Sequence, residues 1–207
     1  MEGKRKRLVI GLVGQAKVGK STVAQCLKVL RNFQEFSFAD RLKHICSDVF
    51  NLDLCYFYNT QMKEEITDLG VTPRQLMETV GTDLFRTSLQ KSLPSLKLNI
   101  DNVGDVSIWT SMLYRELQDE KLSGVDCVIS DVRFEDEMRM IKELGGYLLF
   151  IERPSVNQVS VHQSNKVDEL VRAFPDLIDG RITNDCSIID LTTRVDDEIA
   201  NLLRKKG

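Results

Sequence analysis

The 207-residue sequence lacks the features that mark membrane, secreted and nucleic-acid-binding proteins. No stretch approaches the roughly 18 consecutive apolar residues that a membrane-spanning helix needs. The basic run at residues 4–7 is not followed by the apolar core and cleavage site of a signal peptide. A net charge of -3 gives no reason to expect a nucleic-acid polymer or an anionic membrane as partner. We therefore expect one cytoplasmic domain spanning residues 1–207.

Metal-binding and disulfide patterns are also missing. The five cysteines are scattered, form no Cys-x-x-Cys pair and have no histidine close enough in sequence to complete a zinc site. An odd number of scattered cysteines is typical of free thiols in a reducing compartment. This pattern again favours the cytoplasm.

Short apolar strands alternate with helical segments along the chain. We predict strands at 7–13, 36–38, 125–130, 147–151 and 186–189. Helices are predicted at 20–30, 40–50, 72–90, 106–121 and 134–144, with a last one at the carboxyl end. Residues 52–70 fit no single pattern, and residues 153–165 are predicted to be a loop or mobile lid. The alternation predicts an α/β fold of three layers, with a mostly parallel sheet between helices.

The segment after the first strand carries the clearest functional motif. Residues 14–21, Gly-Gln-Ala-Lys-Val-Gly-Lys-Ser, fit G-x-x-x-x-G-K-[ST] between a strand and a helix, which is the context of a P-loop. In that motif backbone N–H groups hold phosphates, Lys20 reaches the β- and γ-phosphates, and the Ser21 hydroxyl binds Mg²⁺. The predicted ATP site comprises Gly14, Gln15, Ala16, Lys17, Val18, Gly19, Lys20, Ser21 and Thr22.

A second motif follows the strand at 125–130. Asp131 lies where that strand ends, which is where doubly wound sheets bind their ligands. In a P-loop protein this position suits an acidic residue that holds Mg²⁺ directly or through water. Arg133 is then well placed for a phosphate oxygen. The predicted metal site is therefore Ser21 with Asp131.

Several further segments resemble one family, in the family's order. Residues 72–83 (TPRQLMETVGTD), 129–137 (ISDVRFEDE) and 182–185 (ITND) are similar to segments of the phage and viral deoxynucleoside monophosphate kinases. The resemblance implies a nucleoside-monophosphate-kinase-like fold, with a helical acceptor-binding region at about 40–122 and a lid at about 153–165. It also implies transfer of the ATP γ-phosphoryl group to a deoxynucleoside monophosphate.

The same resemblance assigns residues to the acceptor side. Lys43 would face the acceptor, and Arg153 would begin the lid. The deoxynucleotide pocket would be lined by Arg74, Gly81, Thr82, Trp109, Asp131, Arg133 and Glu137. Apart from the resemblance, Trp109 fits a core position equally well, and Glu137 fits an ordinary helix position.

Phosphoryl transfer depends chiefly on alignment and charge neutralisation. Lys20 is expected to grip the donor, while Arg74 and Arg133, with Lys43 or Arg86, hold the acceptor phosphate in line. Arg153 would close over the site and exclude water. An alternative for Arg86 is a surface pair with Asp83.

Two other functions stay open at this stage. One is a P-loop kinase of another small phosphorylated metabolite or of a nucleoside. The other, less favoured, is a nucleotide-dependent switch or assembly ATPase, for which an Asn-Lys-x-Asp guanine motif or an arginine finger would be expected. The accepted base, the exclusion of ribonucleotides and the oligomeric state are not fixed by the sequence, although a homodimer is common among such kinases.

Overall fold

The computed structural model describes residues 7–154 and 164–204, without the side chains of residues 164–166. The strands in these residues are β1 (Val9–Val13), β2 (Gln34–Phe36), β3 (Asn99–Ile100), β4 (Gly104–Asp105), β5 (Cys127–Val132), β6 (Tyr147–Glu152) and β7 (Gly180–Thr183). The α-helices are α1 (Lys20–Arg31), α2 (Asp40–Phe50), α3 (Cys55–Tyr58), α4 (Pro73–Glu78), α5 (Leu89–Ser92), α6 (Ile108–Leu117), α7 (Glu135–Glu143), α8 (Ser164–Ala173) and α9 (Ile188–Arg204). A π-helical segment, Thr79–Ser88, joins α4 to α5.

Five strands form a parallel sheet in the order β2-β5-β1-β6-β7. Strands β3 and β4 pair separately as a small antiparallel hairpin. Because β1 is the central strand, the loop that follows it lies at the middle of the sheet's carboxyl edge. The neighbouring strands β5 and β6 end at the same edge, so residues that follow them are brought towards the loop after β1.

Helices cover both faces of this sheet. Ile10 and Leu12 of β1 are fully buried in a cluster that α1 and α9 complete, whereas Val9 and Val13 point into a second cluster with α6 and α7. Successive side chains of a strand point to opposite faces, so a strand buried on both sides reads as a continuous apolar run. The predicted three-layer α/β fold is confirmed.

A third apolar cluster lies away from the sheet, under the helices between β2 and β5. It contains Leu42, Cys46, Phe57, Val80 and Trp109, each at most 8% exposed. These residues come from α2, α3, the π-helical segment and α6. The helical region predicted at 40–122 therefore has an apolar cluster of its own beside the sheet edge; its role in acceptor binding stays a prediction.

The helix predicted from residue 72 to about 90 is confirmed as one helical run from 73 to 92. Thr72 caps it: the Thr72 hydroxyl accepts from the Gln75 N–H at 3.2 Å, and the Thr72 N–H donates to the Gln75 side chain at 2.9 Å. This reciprocal pair is a capping box.

The second strand lies two residues earlier than predicted, at Gln34–Phe36 instead of 36–38. The backbone N–H groups of Phe38 and Ala39 donate to the Asp131 carboxylate, at 2.9 and 3.0 Å. A side chain thus takes the hydrogen bonds that a strand partner would have taken, and the strand ends.

The strand predicted at 186–189 is wrong, because Ile188 begins α9 and the last strand is β7. The Ser187 hydroxyl accepts from the Asp190 N–H at 3.2 Å and so caps that helix. Ile188 and Ile189 are 58% and 75% exposed, as residues at the open start of a helix can be.

The cysteines fit the prediction of free thiols: all five lie in the described residues, and none is in a disulfide. Burial raises the pKa of Cys46 and of Cys127 to about 11, which makes both unreactive near neutral pH. Across the described residues, no helix combines the length and the apolar character that a membrane crossing requires.

Candidate active site

The P-loop motif forms a tight turn between β1 and α1. Gly19, immediately before the helix, has φ of 100°, a conformation that residues with a side chain rarely adopt. A Cβ at this position would lie 2.2 Å from Nδ2 of Asn184, so the turn also has no space for one. The first turn of α1 leaves its N–H groups available to an anion, and the exposed Ser21 hydroxyl lies beside them.

Lys20 folds back over this loop. Its Nζ donates to the carbonyls of Gly14 and Gln15, both at 2.7 Å. Burial and, to a smaller extent, the positive charge of Arg133 lower the pKa of Lys20 to about 8, although Asp131 opposes both. The two motifs, separated by more than a hundred residues in sequence, are therefore close enough at the sheet edge for their charges to interact.

The P-loop is also braced from the helix that follows the predicted lid. The Gln15 side-chain amide donates to the Asp168 carboxylate on α8. Residues 165–168, Asn-Lys-Val-Asp, match the Asn-Lys-x-Asp guanine motif that a switch protein would carry. They open a helix instead of following a strand, and Asp168 is bound by Gln15, so this carboxylate is not presented to a base.

Asp131 connects β5 to the segment after β2. Its carboxylate accepts from the Ser37 hydroxyl at 2.7 Å as well as from the two backbone N–H groups of Phe38 and Ala39. These bonds hold residues 37–39 against the sheet edge and place the start of α2 beside the P-loop. Oδ2 accepts two of these three bonds and Oδ1 accepts one, so Oδ1 still has room for a further partner.

Glu137 organises the loop that carries Arg133. Its side chain is 2% exposed, and one oxygen accepts from the backbone N–H groups of Arg133 and Phe134, at 2.8 and 3.1 Å. The other oxygen accepts from Arg86 at 2.7 Å. The exposed Arg133 side chain therefore extends from a loop whose backbone is fixed from below.

Arg86 lies on top of this network and pairs with two acidic residues of α7. It donates to Asp136 at 3.0 Å and to Glu137 at 2.7 Å, and its guanidinium lies 3.6 Å from the centre of the Phe134 ring. The alternative of a surface pair with Asp83 is wrong: Arg86 is only 17% exposed and its partners lie about 50 residues away.

The two carboxyl groups that pair with Arg86 have pKa values shifted in opposite directions. Burial raises the pKa of Glu137 to about 8, although Arg86 opposes it. Burial would raise the pKa of Asp136 too, but Arg86 and the hydrogen bonds from Ser107 and Thr110 outweigh it and lower the value. Near neutral pH the group thus holds one proton on Glu137, and Arg86 balances Asp136.

A set of cations faces the P-loop from the helical region. Burial lowers the pKa of Lys63, and the charges of Lys43, Arg74 and Arg133 add to the effect, so that the pKa is about 8 although Glu64 opposes them. Within the described part of the chain Lys63 makes no ion pair, and a cation with a perturbed pKa among like charges is typical of a site that binds an anion. Sequence reasoning missed Lys63, because it lies in a 3-10 turn at Met62–Glu64 within the segment that fits no periodic pattern.

The predicted acceptor residues Arg74 and Lys43 are held by neighbouring groups. Arg74 pairs with Glu64 at 2.6 Å. Nζ of Lys43 lies 2.9 Å from Asp40 and 4.0 Å from the centre of the Tyr58 ring, and the Tyr58 hydroxyl donates to the same Asp40. Each of these two cations must give up its present contacts in order to bind an anion.

Trp109 and Gly81 form one contact of the third apolar cluster. The Trp109 ring N–H donates to the Gly81 carbonyl at 2.9 Å, and the ring packs 5.3 Å from Phe85. Trp109 is 7% exposed, which confirms a core position, and it also borders a cavity of about 40 Å³ beside Phe38 and Arg41. A space of that measure holds more than one water molecule, and contact between Trp109 and a base stays a prediction.

The remaining predicted residues lie at the margins of this region. Thr82 follows Gly81 in the π-helical segment. Arg153 is exposed directly after β6, and residues 155–163 of the predicted lid lie outside the described residues. The described part of the chain contains no cluster of three His, Cys, Asp or Glu side chains that could hold a metal without help from a ligand.

Comparison with known proteins identifies the family. A protein of Acanthamoeba polyphaga mimivirus, whose name assigns it to the deoxynucleotide monophosphate kinases, is 41% identical over 160 residues, which are 76% of this chain and 80% of that protein. No protein-family model matches the chain.

Solved kinase structures are related to the chain only distantly. A dephospho-CoA kinase from Campylobacter jejuni is 15% identical, with 95% of this chain and 98% of that chain covered and a TM-score of 0.48. A shikimate kinase from Acinetobacter baumannii, in complex with shikimate, is 12% identical, with 97% and 95% covered and a TM-score of 0.43. Similarity this distant says nothing about the substrate. The mimivirus relative decides the assignment: the chain belongs to the deoxynucleotide monophosphate kinase family.

Proposed function

We propose that this protein transfers the γ-phosphoryl group of ATP to a deoxynucleoside monophosphate, giving ADP and the deoxynucleoside diphosphate. Family membership supports the reaction. The structural observation that carries it is the position of Arg133, whose charge acts both on Lys20 of the P-loop and on Lys63 of the helical region. A cation shared by a donor loop and an acceptor region suits a reaction in which two anionic phosphates must approach each other.

On the donor side, the backbone N–H groups of residues 14–19 and the positive end of α1 would hold the ATP phosphates. Lys20, which donates to two loop carbonyls, would exchange them for the β- and γ-phosphates. Its lowered pKa of about 8 is raised again by that contact, because a phosphate favours the charged form.

The residues present fit a magnesium ion brought by ATP. Mg²⁺ prefers oxygen ligands and is usually held by one or two protein groups together with phosphates. The Ser21 hydroxyl at the start of α1 and the Asp131 carboxylate at the end of β5 supply such oxygens. The ion would neutralise charge on the phosphates, and Asp131 would keep the segment 37–39 in place at the same time.

On the acceptor side, Arg133 and Arg74 are proposed to hold the monophosphate, with Lys43 and Lys63 completing the charge. Their mutual repulsion, which adds to the effect of burial in lowering the pKa of Lys63, would be relieved when an anion binds among them. Arg86 and Glu137, assigned to the same pocket by resemblance, would act beneath it, because their side chains are bound to each other. No general base is needed, since the acceptor phosphate is already anionic.

Arg153 is proposed to close the site. It lies exposed at the end of β6, beside the central strand whose loop holds the donor. A cation that reaches the transferring group from this side would exclude water and suppress hydrolysis of ATP.

A coupled assay of ADP release tests the proposal across the four deoxynucleoside monophosphates and their ribose counterparts. We expect at least one deoxynucleotide to stimulate ADP release, and we expect Lys20→Ala to lower that rate by about a hundredfold or more. Lys28→Ala, on the same helix and paired with Glu35 at the surface, should leave it unchanged. If no monophosphate stimulates release while Lys20→Ala still abolishes ATP binding, the acceptor assignment fails and the P-loop assignment survives.

A further inference from the structure

The segment at 182–185, which resembles the family but has no assigned role, reaches the P-loop from the far edge of the sheet. Asn184 directly follows β7, and its backbone N–H donates to the Glu152 carbonyl at 2.8 Å. Its side chain is 9% exposed. The side-chain amide donates to the Val18 carbonyl at 2.9 Å, across 166 positions of sequence.

This hydrogen bond fixes one particular peptide unit. The carbonyl of Val18 and the N–H of Gly19 belong to the same planar trans peptide, so they point in opposite directions. Holding the carbonyl towards Asn184 directs the Gly19 N–H to the opposite side of the loop. No residue in the described part of the chain accepts a hydrogen bond from that N–H.

The close approach of Asn184 also explains the glycine. A Cβ on residue 19 would meet Nδ2 of Asn184 at 2.2 Å and the amide carbon at 3.3 Å. Without a side chain, Gly19 can adopt φ of 100° and let the asparagine pack directly against the loop. Asparagine suits the position because its amide is an uncharged donor, and burial of a charged donor would cost more.

We propose that Asn184 is a positioning residue of the donor site, which orients the Val18–Gly19 peptide so that its N–H meets an ATP phosphate. This inference rests on the proposed function, because it requires the loop to bind ATP. The flexible glycine would otherwise let this peptide rotate. Asn184 therefore acts through the loop, without touching the nucleotide, and should influence ATP and not the acceptor.

The test compares Asn184→Ala and Asn184→Asp with Asp185→Asn as the matched control. Aspartate has the size of asparagine, but its carboxylate oxygens are acceptors and cannot donate a hydrogen bond to the Val18 carbonyl. Asp185 is the next residue, half-exposed and paired with Arg194 at 2.7 Å, so its change alters the same segment without the loop contact. Binding of ATP and of the accepted deoxynucleotide is measured separately by calorimetry, together with thermal melting.

We expect both Asn184 variants to bind ATP about tenfold more weakly, the aspartate variant more so, which corresponds to the loss of one oriented hydrogen bond. Deoxynucleotide affinity should stay within about twofold, and the control should match the parent protein in both affinities. In turnover, the KM for ATP should rise while kcat at saturating ATP changes little.

Three results would overturn this role for Asn184. Unchanged ATP affinity in both variants would show that the hydrogen bond does not orient the loop. Equal losses for ATP and deoxynucleotide, or loss of folding in both variants, would show that Asn184 only holds the structure together. Failure of the parent protein to bind ATP would instead refute the proposed function.

Discussion

Replacement of Arg86 by methionine tests the buried network beneath Arg133. Methionine keeps an apolar stem of similar length but removes the cation that pairs with Asp136 and Glu137 in the described part of the chain. Arg86 is the largest influence that lowers the pKa of Asp136, so without it the carboxyl group keeps the hydrogen bonds from Ser107 and Thr110 but loses its counterion. The folded protein would then hold either a largely buried charge without a counterion or a carboxyl group protonated at a cost in free energy.

The expected cost follows from that burial. Removing one partner of a buried ion pair costs about 3–5 kcal/mol. The two remaining hydrogen bonds to Asp136 offset part of it, so we expect the free energy of unfolding to fall by about 2–4 kcal/mol. That is a large share of the roughly 5–15 kcal/mol that stabilises a typical domain.

Urea unfolding at pH 7, followed by the fluorescence of Trp109, measures this change, because Trp109 is the only tryptophan and is buried. Arg139→Met is the matched comparison. Arg139 is on the same helix as Asp136 and Glu137 and pairs with Glu135 at the surface, so its replacement should cost at most about 1 kcal/mol. The reasoning is refuted if Arg86→Met changes the free energy by less than about 0.5 kcal/mol, or if Arg139→Met is equally harmful.

Three further results are expected. The folded protein keeps a proton on Glu137 up to about pH 8, whereas the unfolded chain releases it near pH 4.5. The free energy of unfolding should therefore fall as the pH rises between these values, and this slope should disappear in Glu137→Gln. Gly19→Ala should weaken ATP binding by more than tenfold and cost about 1–3 kcal/mol of stability, measured by calorimetry and melting, because φ of 100° and the contact with Asn184 both oppose a side chain. Lys63→Met should raise the KM for the deoxynucleotide about tenfold and leave the KM for ATP unchanged. It should not lower the melting temperature, because it removes a charge that its neighbours repel. Replacement of the exposed Lys97 by methionine is its control.

The donor half of the site could be predicted from local sequence alone. Residues 14–21 carry a motif in which the two glycines, the lysine and the serine each have a stated task, and the strand before it and the helix after it are both confirmed. Asp131 could be placed for a related reason: parallel strands end at a common edge, so a residue at the end of β5 must lie near the loop after β1.

The acceptor half depends on contacts that sequence spacing does not reveal. Asp83, three positions before Arg86, was the obvious local partner, yet the observed partners lie 50 and 51 residues away. Lys63 lies in a short 3-10 turn, where no periodicity marks a buried side. In each case the position was set by packing of the helical region against the sheet edge.

The carboxyl end illustrates the same limit. The strand β7 has four residues, of which only Ile182 is fully buried, so its pattern is too short to identify. The apolar pair at 188–189 looked more like a strand than β7 did. Only pairing with β6 shows which segment completes the sheet, and that pairing also carries Asn184 to the P-loop.

The most direct test of the central claim follows the γ-phosphoryl group itself. ATP labelled at the γ-phosphate is incubated with the protein, Mg²⁺ and each deoxynucleoside monophosphate, and the labelled products are separated and identified. We predict that the label appears in a deoxynucleoside diphosphate, in one-to-one proportion with ADP, and that Lys20→Ala prevents it. Release of the label as inorganic phosphate, at the same rate with and without any monophosphate, would contradict this account.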